Sequence, residues 1–247
     1  MTNENVATEP NIIFESESLL VLDKPAMLVV HSDGRTEEPS LVEWIHTHYP
    51  DLKDVGGLHT LDSGRYVERY GIVHRLDRET SGVIIVAKNA ETFFFLQRQF
   101  IERTNEKHYR AFVSGILDEG EGSIELPIGR SRSDFRQWAT GADARGTLRK
   151  ALTQYRVLGS TSLYSYLDLS PKTGRTHQLR VHMKAIGHPI LADRRYGAPC
   201  SLGFERVALH AYSISIALPN GERKTFTAPL PKDFLHAIES LGISPNE

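Results

Sequence analysis

Short apolar runs broken by polar, Gly- and Pro-bearing segments make up most of the chain, and most of these runs are too short for helices. Ile12-Ile13-Phe14 and Leu19-Leu20-Val21-Leu22 predict two short strands joined by a polar turn. Pro25 ends the second, because it cannot donate to a ladder. Ser40, with Glu43 three residues on, predicts a helix through His46 opened by a capping box. Residues 51–70 are rich in Gly and charge, show little periodicity and read as loop. The runs Gly71-Ile72-Val73 and Val83-Ile84-Ile85-Val86-Ala87 read as buried strands on either side of a polar segment. Asn89 predicts the N-cap of a helix over 90–103, with Phe93, Phe94, Leu96, Phe100 and Ile101 on a broad core face. Further strands are expected at 109–113, 123–128, 152–158 and 163–169. The segment 174–186 reads as a helix stopped by Gly187. Residues 207–218, the Asn220-Gly221 turn and 224–227 form a hairpin signal, and 233–241 a closing helix. Strands outnumber helices without strictly alternating with them. The expected class is α+β, a largely antiparallel mixed β-sheet flanked by helices and loops.

A hydrophobic content of 40% over 247 residues is enough for a sizeable core, and 24% charge argues against a disordered chain. Residues 1–10 are polar and expected to fray, leaving 11–247 as one domain. The single cysteine, Cys200, excludes an internal disulfide and fits a reducing, cytoplasmic setting. No run approaches the ~18 apolar residues of a membrane span, so no membrane association is expected. The net charge of −2 hides local asymmetry. Arg130, Arg132, Arg136, Arg145, Arg149 and Lys150 crowd one segment, which contains Gly141 and Gly146 and reads as a long polar loop. Lys172, Arg175, Arg180, Lys184, Arg194 and Arg195 crowd another. Basic clusters on a near-neutral protein suit an enzyme that holds a few phosphates and then releases them. His177 and His182 are five apart, not the four that put two ligands on one helical face, so no metal site is expected.

The segment with most chemistry is His74-Arg75-Leu76-Asp77-Arg78-Glu79-Thr80-Ser81-Gly82, which leads into an apolar run. A carboxylate among cations at a strand end can act as nucleophile or base. Taken locally, the same pattern is more often a solvated ion pair. The whole string resembles the catalytic motif of the RluA-type pseudouridine synthases, usually His-Arg-Leu-Asp-Lys-Asp-Thr-Ser-Gly; Arg78 and Glu79 are charge-conserving departures. Three further segments resemble the same family in order. They are Leu22-Asp23-Lys24-Pro25-Ala26-Met27, with Met27 in place of the usual Gly, then Lys107-His108-Tyr109-Arg110-Ala111, then Pro171-Lys172-Thr173-Gly174-Arg175-Thr176-His177-Gln178-Leu179-Arg180. Gly187-His188-Pro189-Ile190-Leu191-Ala192-Asp193 continues the last, with Ala192 where Gly is common.

The resemblance implies the pseudouridine synthase catalytic fold over residues 11–247, with an active-site cleft across the sheet. The N-terminal S4 domain of many relatives is missing from the matched segments. The implied reaction breaks the C1′–N1 bond of a uridine and joins C1′ to C5, with no redox step and no group lost. No cofactor and no metal are therefore expected. Asp77 is the implied catalytic carboxylate, acting on a base flipped out of its stack. Tyr109 would stack on that base, Leu179 would wall it, and Arg180 would hold the Asp77 carboxylate. Arg75 suits a phosphate or the space the base vacates. His74, Arg78, Lys107, Arg132, Arg136, Arg145, Lys172, Arg175 and His177 are the expected RNA contacts. The expected partner is ribosomal or transfer RNA, with no obligate protein partner and a monomeric enzyme. Two other readings compete. One is a non-catalytic RNA-binding module. The other is a phosphotransferase, which fails because a kinase loop runs His-Arg-Asp and no Gly-rich loop or Asp-Phe-Gly follows.

Overall fold

Aliphatic runs form the strands, and the elements fall into two compact units. The computed structural model describes residues 9–31, 38–60, 64, 66–117, 120–198 and 200–242. The expected fraying of residues 1–10 lies almost wholly outside them. In chain order the elements are β1 (Asn11–Glu15), β2 (Leu19–Lys24), α1 (Leu41–His48), β3 (Leu58–Thr60), β4 (Tyr66–Glu68), β5 (Ser81–Ala87) and α2 (Ala90–Glu102). There follow β6 (Glu106–Ser114), β7 (Glu121–Ile124), β8 (Ile128–Ser131), β9 (Trp138–Thr140), β10 (Ala144–Arg149), β11 (Thr153–Ser160) and β12 (Tyr164–Pro171). The chain closes with α3 (Gln178–Ala185), β13 (Leu209–Ala217), β14 (Arg223–Thr227) and α4 (Lys232–Ser240). The class is α+β with mixed, mostly antiparallel strands, as expected. One unit comprises Met1–Glu106 with Ala211–Pro229, the other Lys107–His210 with Leu230–Glu247.

In the first unit the strand order is β1-β2-β5-β13, with β14 on β13. Every residue of β5 is buried, and so are Leu19, Leu20, Val21 and Leu22 of β2. Burial on both faces explains why these strands read as unbroken apolar runs. The capping box of α1 forms: Ser40 Oγ accepts from the Glu43 N–H at 3.2 Å and Glu43 Oε2 from the Ser40 N–H at 2.9 Å. Asn89 Oδ1 caps α2 by accepting from the Thr92 N–H at 2.9 Å. Three expectations are corrected here. Residues 51–70 are not all loop, since β3 and β4 pair antiparallel; strands of three residues are too short to show an alternation. Gly71-Ile72-Val73 is not a strand and makes a single bridge, Ile72 to Val86. Phe94 and Ile101 are 60% and 72% exposed, because the apolar arc of α2 is wider than the stripe its packing covers.

In the second unit the order is β6-β12-β11-β7, all antiparallel neighbours. Phe112 and Tyr166 stand opposite each other with rings stacked at 4.7 Å. Phe204 and Phe234 pack around Phe112. The same core takes in Leu179 and Met183 of α3 and Ala237 and Ile238 of α4. The arginine-rich segment is not a long loop. It is a three-stranded sheet, β10-β8-β9, whose Ile128 packs with Ala151, Val181, Tyr196 and Trp138. Its inward residues are few, chiefly Ile128 and Trp138, and the exposed arginines among them mask the strand period. The helix expected over 174–186 begins only at Gln178, because His177 adopts a left-handed conformation with φ 55°. Lys172 and Arg175 therefore sit on the loop before α3, not on the helix.

Candidate active site

Asp77 lies half-buried in the loop that leads into β5, and its carbonyl accepts from the Thr80 N–H at 3.1 Å to close a turn. Leu76 and Thr80 anchor this turn in the interior, at 5% and 2% exposure. His74 stacks on Phe100 with ring centres 4.9 Å apart, and its Nε2 accepts from the Ile85 N–H at 3.0 Å. That bond puts the proton of a neutral ring on Nδ1. In this unit His74, one of the expected RNA contacts, serves as a peg between the turn and β5. Arg78 pairs with Glu38 at 3.1 Å near the surface, a contact of small energetic weight. Arg75 is exposed.

Lys24, which sequence reasoning left without a role, braces the same turn. Its fully buried Nζ donates to the carbonyls of Pro25 at 2.7 Å, Leu28 at 2.8 Å and Arg78 at 3.3 Å. The Met27 N–H reaches the same Arg78 carbonyl at 2.8 Å. The turn carrying Asp77 is thus tied to the end of β2 by two donors. Its other end requires Gly82, whose φ is +114° and whose added Cβ would overlap the Ala211 carbonyl.

The second unit holds the remaining implied residues. Tyr109 on β6 is half-buried against the core cluster that includes Leu179. Lys107 Nζ lies 4.0 Å from where a Cβ would stand on Gly174, so it borders the loop of Lys172 and Arg175. Arg180, 4% exposed, makes a bidentate ion pair with the fully buried Asp193: Nε to Oδ2 at 2.7 Å and Nη2 to Oδ1 at 2.8 Å. Its guanidinium also lies 5.1 Å over the Tyr196 ring. Asp77, the partner the resemblance implies for Arg180, belongs to the first unit. Asp193 was missed as a site residue, although it closes the quoted Gly187–Asp193 motif.

A buried polar network fixes the loop before α3. Gln178 Oε1 accepts from Thr173 Oγ1 at 2.6 Å and from the Arg175 N–H at 3.1 Å. Gln178 Nε2 donates to the Leu152 carbonyl and to Thr153 Oγ1, both at 3.0 Å. The Thr153 hydroxyl then donates to His182 Nδ1 at 3.0 Å, and His182 Nε2 donates to the Leu126 carbonyl at 2.9 Å. Each atom has one role only if His182 is neutral. Burial agrees, holding its pKa below the usual 6.5. Beside this network, the Tyr196 hydroxyl bonds His177 Nδ1 at 2.9 Å and accepts from the Trp138 N–H at 3.1 Å. Burial pushes the Tyr196 phenol up to about 12.

The arginines of the three-stranded sheet are exposed but partly tethered. Arg132 Nε donates to the Ala142 and Ala144 carbonyls and Arg145 Nε to that of Ser131, all at 3.0 Å. Arg136 is more committed: its Nε and Nη2 hold both Asp134 oxygens at 3.0 Å. Arg136 in turn holds the Asp134 carboxyl below its usual range. Among the described residues no group of three or more His, Cys, Asp or Glu could hold a metal ion, and no helix is long and apolar enough to cross a membrane.

Comparison with known proteins adds to this geometry. A family profile described as RNA pseudouridylate synthase matches residues 18–185. The RNA pseudouridine synthase YlyB of Bacillus subtilis is 36% identical over 96% of the chain and 75% of its own length. Ribosomal large subunit pseudouridine synthase D of Borreliella burgdorferi is 40% identical over 91% of the chain. The chain spans 66% of that relative's length. Among solved structures, human RNA pseudouridylate synthase domain containing 4 matches with a TM-score of 0.73 and 25% identity, over 96% of this chain and 95% of that one. The profile covers most of the chain and takes in the Asp77 turn, β6 and α3, and the chain belongs to the RNA pseudouridylate synthase family.

Proposed function

We propose that the protein isomerises uridine to pseudouridine in RNA, with Asp77 as the catalytic carboxylate. Relatives named for the large ribosomal subunit favour ribosomal over transfer RNA as the substrate. In this reading residues 11–247 serve one catalytic purpose. The enzyme works in the cytoplasm as a monomer whose partner is RNA. The reaction balances within the nucleotide: the C1′–N1 bond breaks, a C1′–C5 bond forms, C5 loses a proton and N1 gains one. Asp77 acts on the ribose as nucleophile at C1′ or as base. Tyr109 stacks on the flipped base, Leu179 walls it, and Arg75 and Arg180 support the site. His74, Arg78, Lys107, Lys172, Arg175 and His177 contact RNA, with Arg132, Arg136 and Arg145 taking phosphates.

The observation that carries this reading is the Asp77 turn, which is braced from below by the Lys24 ammonium and pegged to β5 by His74. A catalytic carboxylate needs such preorganisation, and a solvated surface acid does not. The test is to incubate the protein with a large-subunit ribosomal RNA transcript in the presence of a chelator and to digest the RNA to nucleosides. Loss of uridine matched by gain of pseudouridine, with no change in RNA mass, is expected. Tight RNA binding with no pseudouridine would favour the non-catalytic reading instead.

A further inference from the structure

We propose that Phe135, at the apex of the β8–β9 turn, is a stacking platform for an unpaired RNA base. The inference deepens the RNA-directed reading above and rests on it. Phe135 is 72% exposed. A single exposed aromatic is ordinary on a protein surface. This one differs in how tightly its backbone is held. Ser131 Oγ accepts from the Ser133 N–H at 3.2 Å and the Asp134 N–H at 3.4 Å. Asp134 Oδ1 accepts from the Arg136 N–H at 2.8 Å, and the Asp134 carbonyl from the Gln137 N–H at 3.0 Å. Arg130 Nη1 donates to the Phe135 carbonyl at 3.4 Å and Arg195 Nη1 to the Arg136 carbonyl at 3.0 Å. A turn fixed at Ser133, Asp134, Phe135, Arg136 and Gln137 therefore holds one large apolar ring out in water.

The surroundings say what the ring would meet. Arg130 and Arg195 adjoin the turn through its carbonyls, and the Arg136 guanidinium, paired with Asp134, lies 5.9 Å from the Phe135 ring centre. A cationic rim around an aromatic face fits a single-stranded polyanion whose bases have exposed π-faces. Because the turn is already ordered, stacking on Phe135 costs little backbone entropy. Every base presents a face, so the platform tolerates sequence and adds affinity instead of reading it.

The experiment compares the full-length parent with Phe135→Ala and Phe135→Trp. The probe is a single-stranded ribo-oligonucleotide of about 12 nucleotides carrying 2-aminopurine, titrated across a salt series. Phe135→Ala should bind about tenfold more weakly with an unchanged salt slope, since the lost contact is not ionic. Phe135→Trp should bind as the parent does and quench the 2-aminopurine by stacking. Thermal midpoints should match, because the ring is exposed. Parent-like binding by Phe135→Ala would overturn the platform. So would a weakening accompanied by a flatter slope, which would trace the loss to disturbed arginines. A parent protein that binds no RNA would instead overturn the functional reading on which the platform rests.

Discussion

Arg180 and Asp193 bury their charges against each other. The guanidinium spans both carboxylate oxygens at 2.7 and 2.8 Å, and Asp193 has no solvent exposure. Asp193 also accepts from the N–H groups of Arg195 and Tyr196, each at 3.1 Å, so this pair anchors the turn after Ala192.

Removing one member should therefore harm the fold as well as the chemistry. Arg180→Met leaves a carboxylate buried without its cation and should cost about 3–5 kcal/mol in urea unfolding. The double variant Arg180→Met with Asp193→Asn should recover much of that loss, because neither charge then remains buried and the amide oxygen can still accept from the Arg195 and Tyr196 N–H groups. A single variant that loses less than about 1 kcal/mol would show that Asp193 finds another partner.

His182 sets a pH dependence. Its pKa is lowered by burial from 6.5, so between the two values the unfolded chain takes a proton that the native protein refuses. Its contribution to stability is complete above pH 6.5 and falls as pH drops below that value. The slope cannot exceed about 1.4 kcal/mol per pH unit for one group. The urea midpoint of the parent should fall from pH 6.5 to 5 more steeply than that of His182→Gln. Parallel profiles would mean that the Thr153–His182–Leu126 chain survives protonation.

The expected strands and caps were legible where the chemistry is local. Ser40 with Glu43, and Asn89, signal their helices because a side chain near the helix start meets a known donor. The β2 and β5 runs are plain because both faces are buried. The three-stranded sheet was hidden because exposed Arg130, Arg132, Arg145 and Arg149 swamp the alternation. The start of α3 was hidden because His177 turns left-handed, a conformation that no residue pattern around it demands. The division into two units was also unreadable, since Ala211–Pro229 rejoins the first from far along the chain. Of the proposed site, Asp77, Tyr109, Leu179 and Arg180 are legible only as members of the motifs. The brace of Lys24, the Gln178 network and the Asp193 pair are not, because each depends on where a carbonyl or hydroxyl lies in space. Two departures from the family pattern now have a physical meaning. Met27 and Ala192, which stand where Gly is usual, have φ of 69° and 56°, the region glycine occupies at least cost.

The tethering of the arginines alters what salt should do to RNA binding. Arg132→Gln with Arg145→Gln should flatten the dependence of affinity on salt by about 1.4 units of slope for a single strand. The loss should be alike for all RNA sequences, since phosphate contacts carry little base information. Adding Arg136→Gln should change the slope less than either of these, because Asp134 already neutralises that guanidinium. An unchanged slope in the double variant would mean that these arginines face only solvent.

The most direct test is turnover by Asp77→Asn on a ribosomal RNA transcript that the parent modifies. The amide keeps the shape of the side chain and loses the carboxylate charge. Because Lys24 and His74 hold the turn through the Arg78 carbonyl and the Ile85 N–H, the fold should be intact and RNA binding should stay within about tenfold, or 1.4 kcal/mol, of the parent. Pseudouridine formation should vanish. Substantial turnover by the pure variant, with deamidation excluded, would contradict the assignment of Asp77 as the catalytic carboxylate.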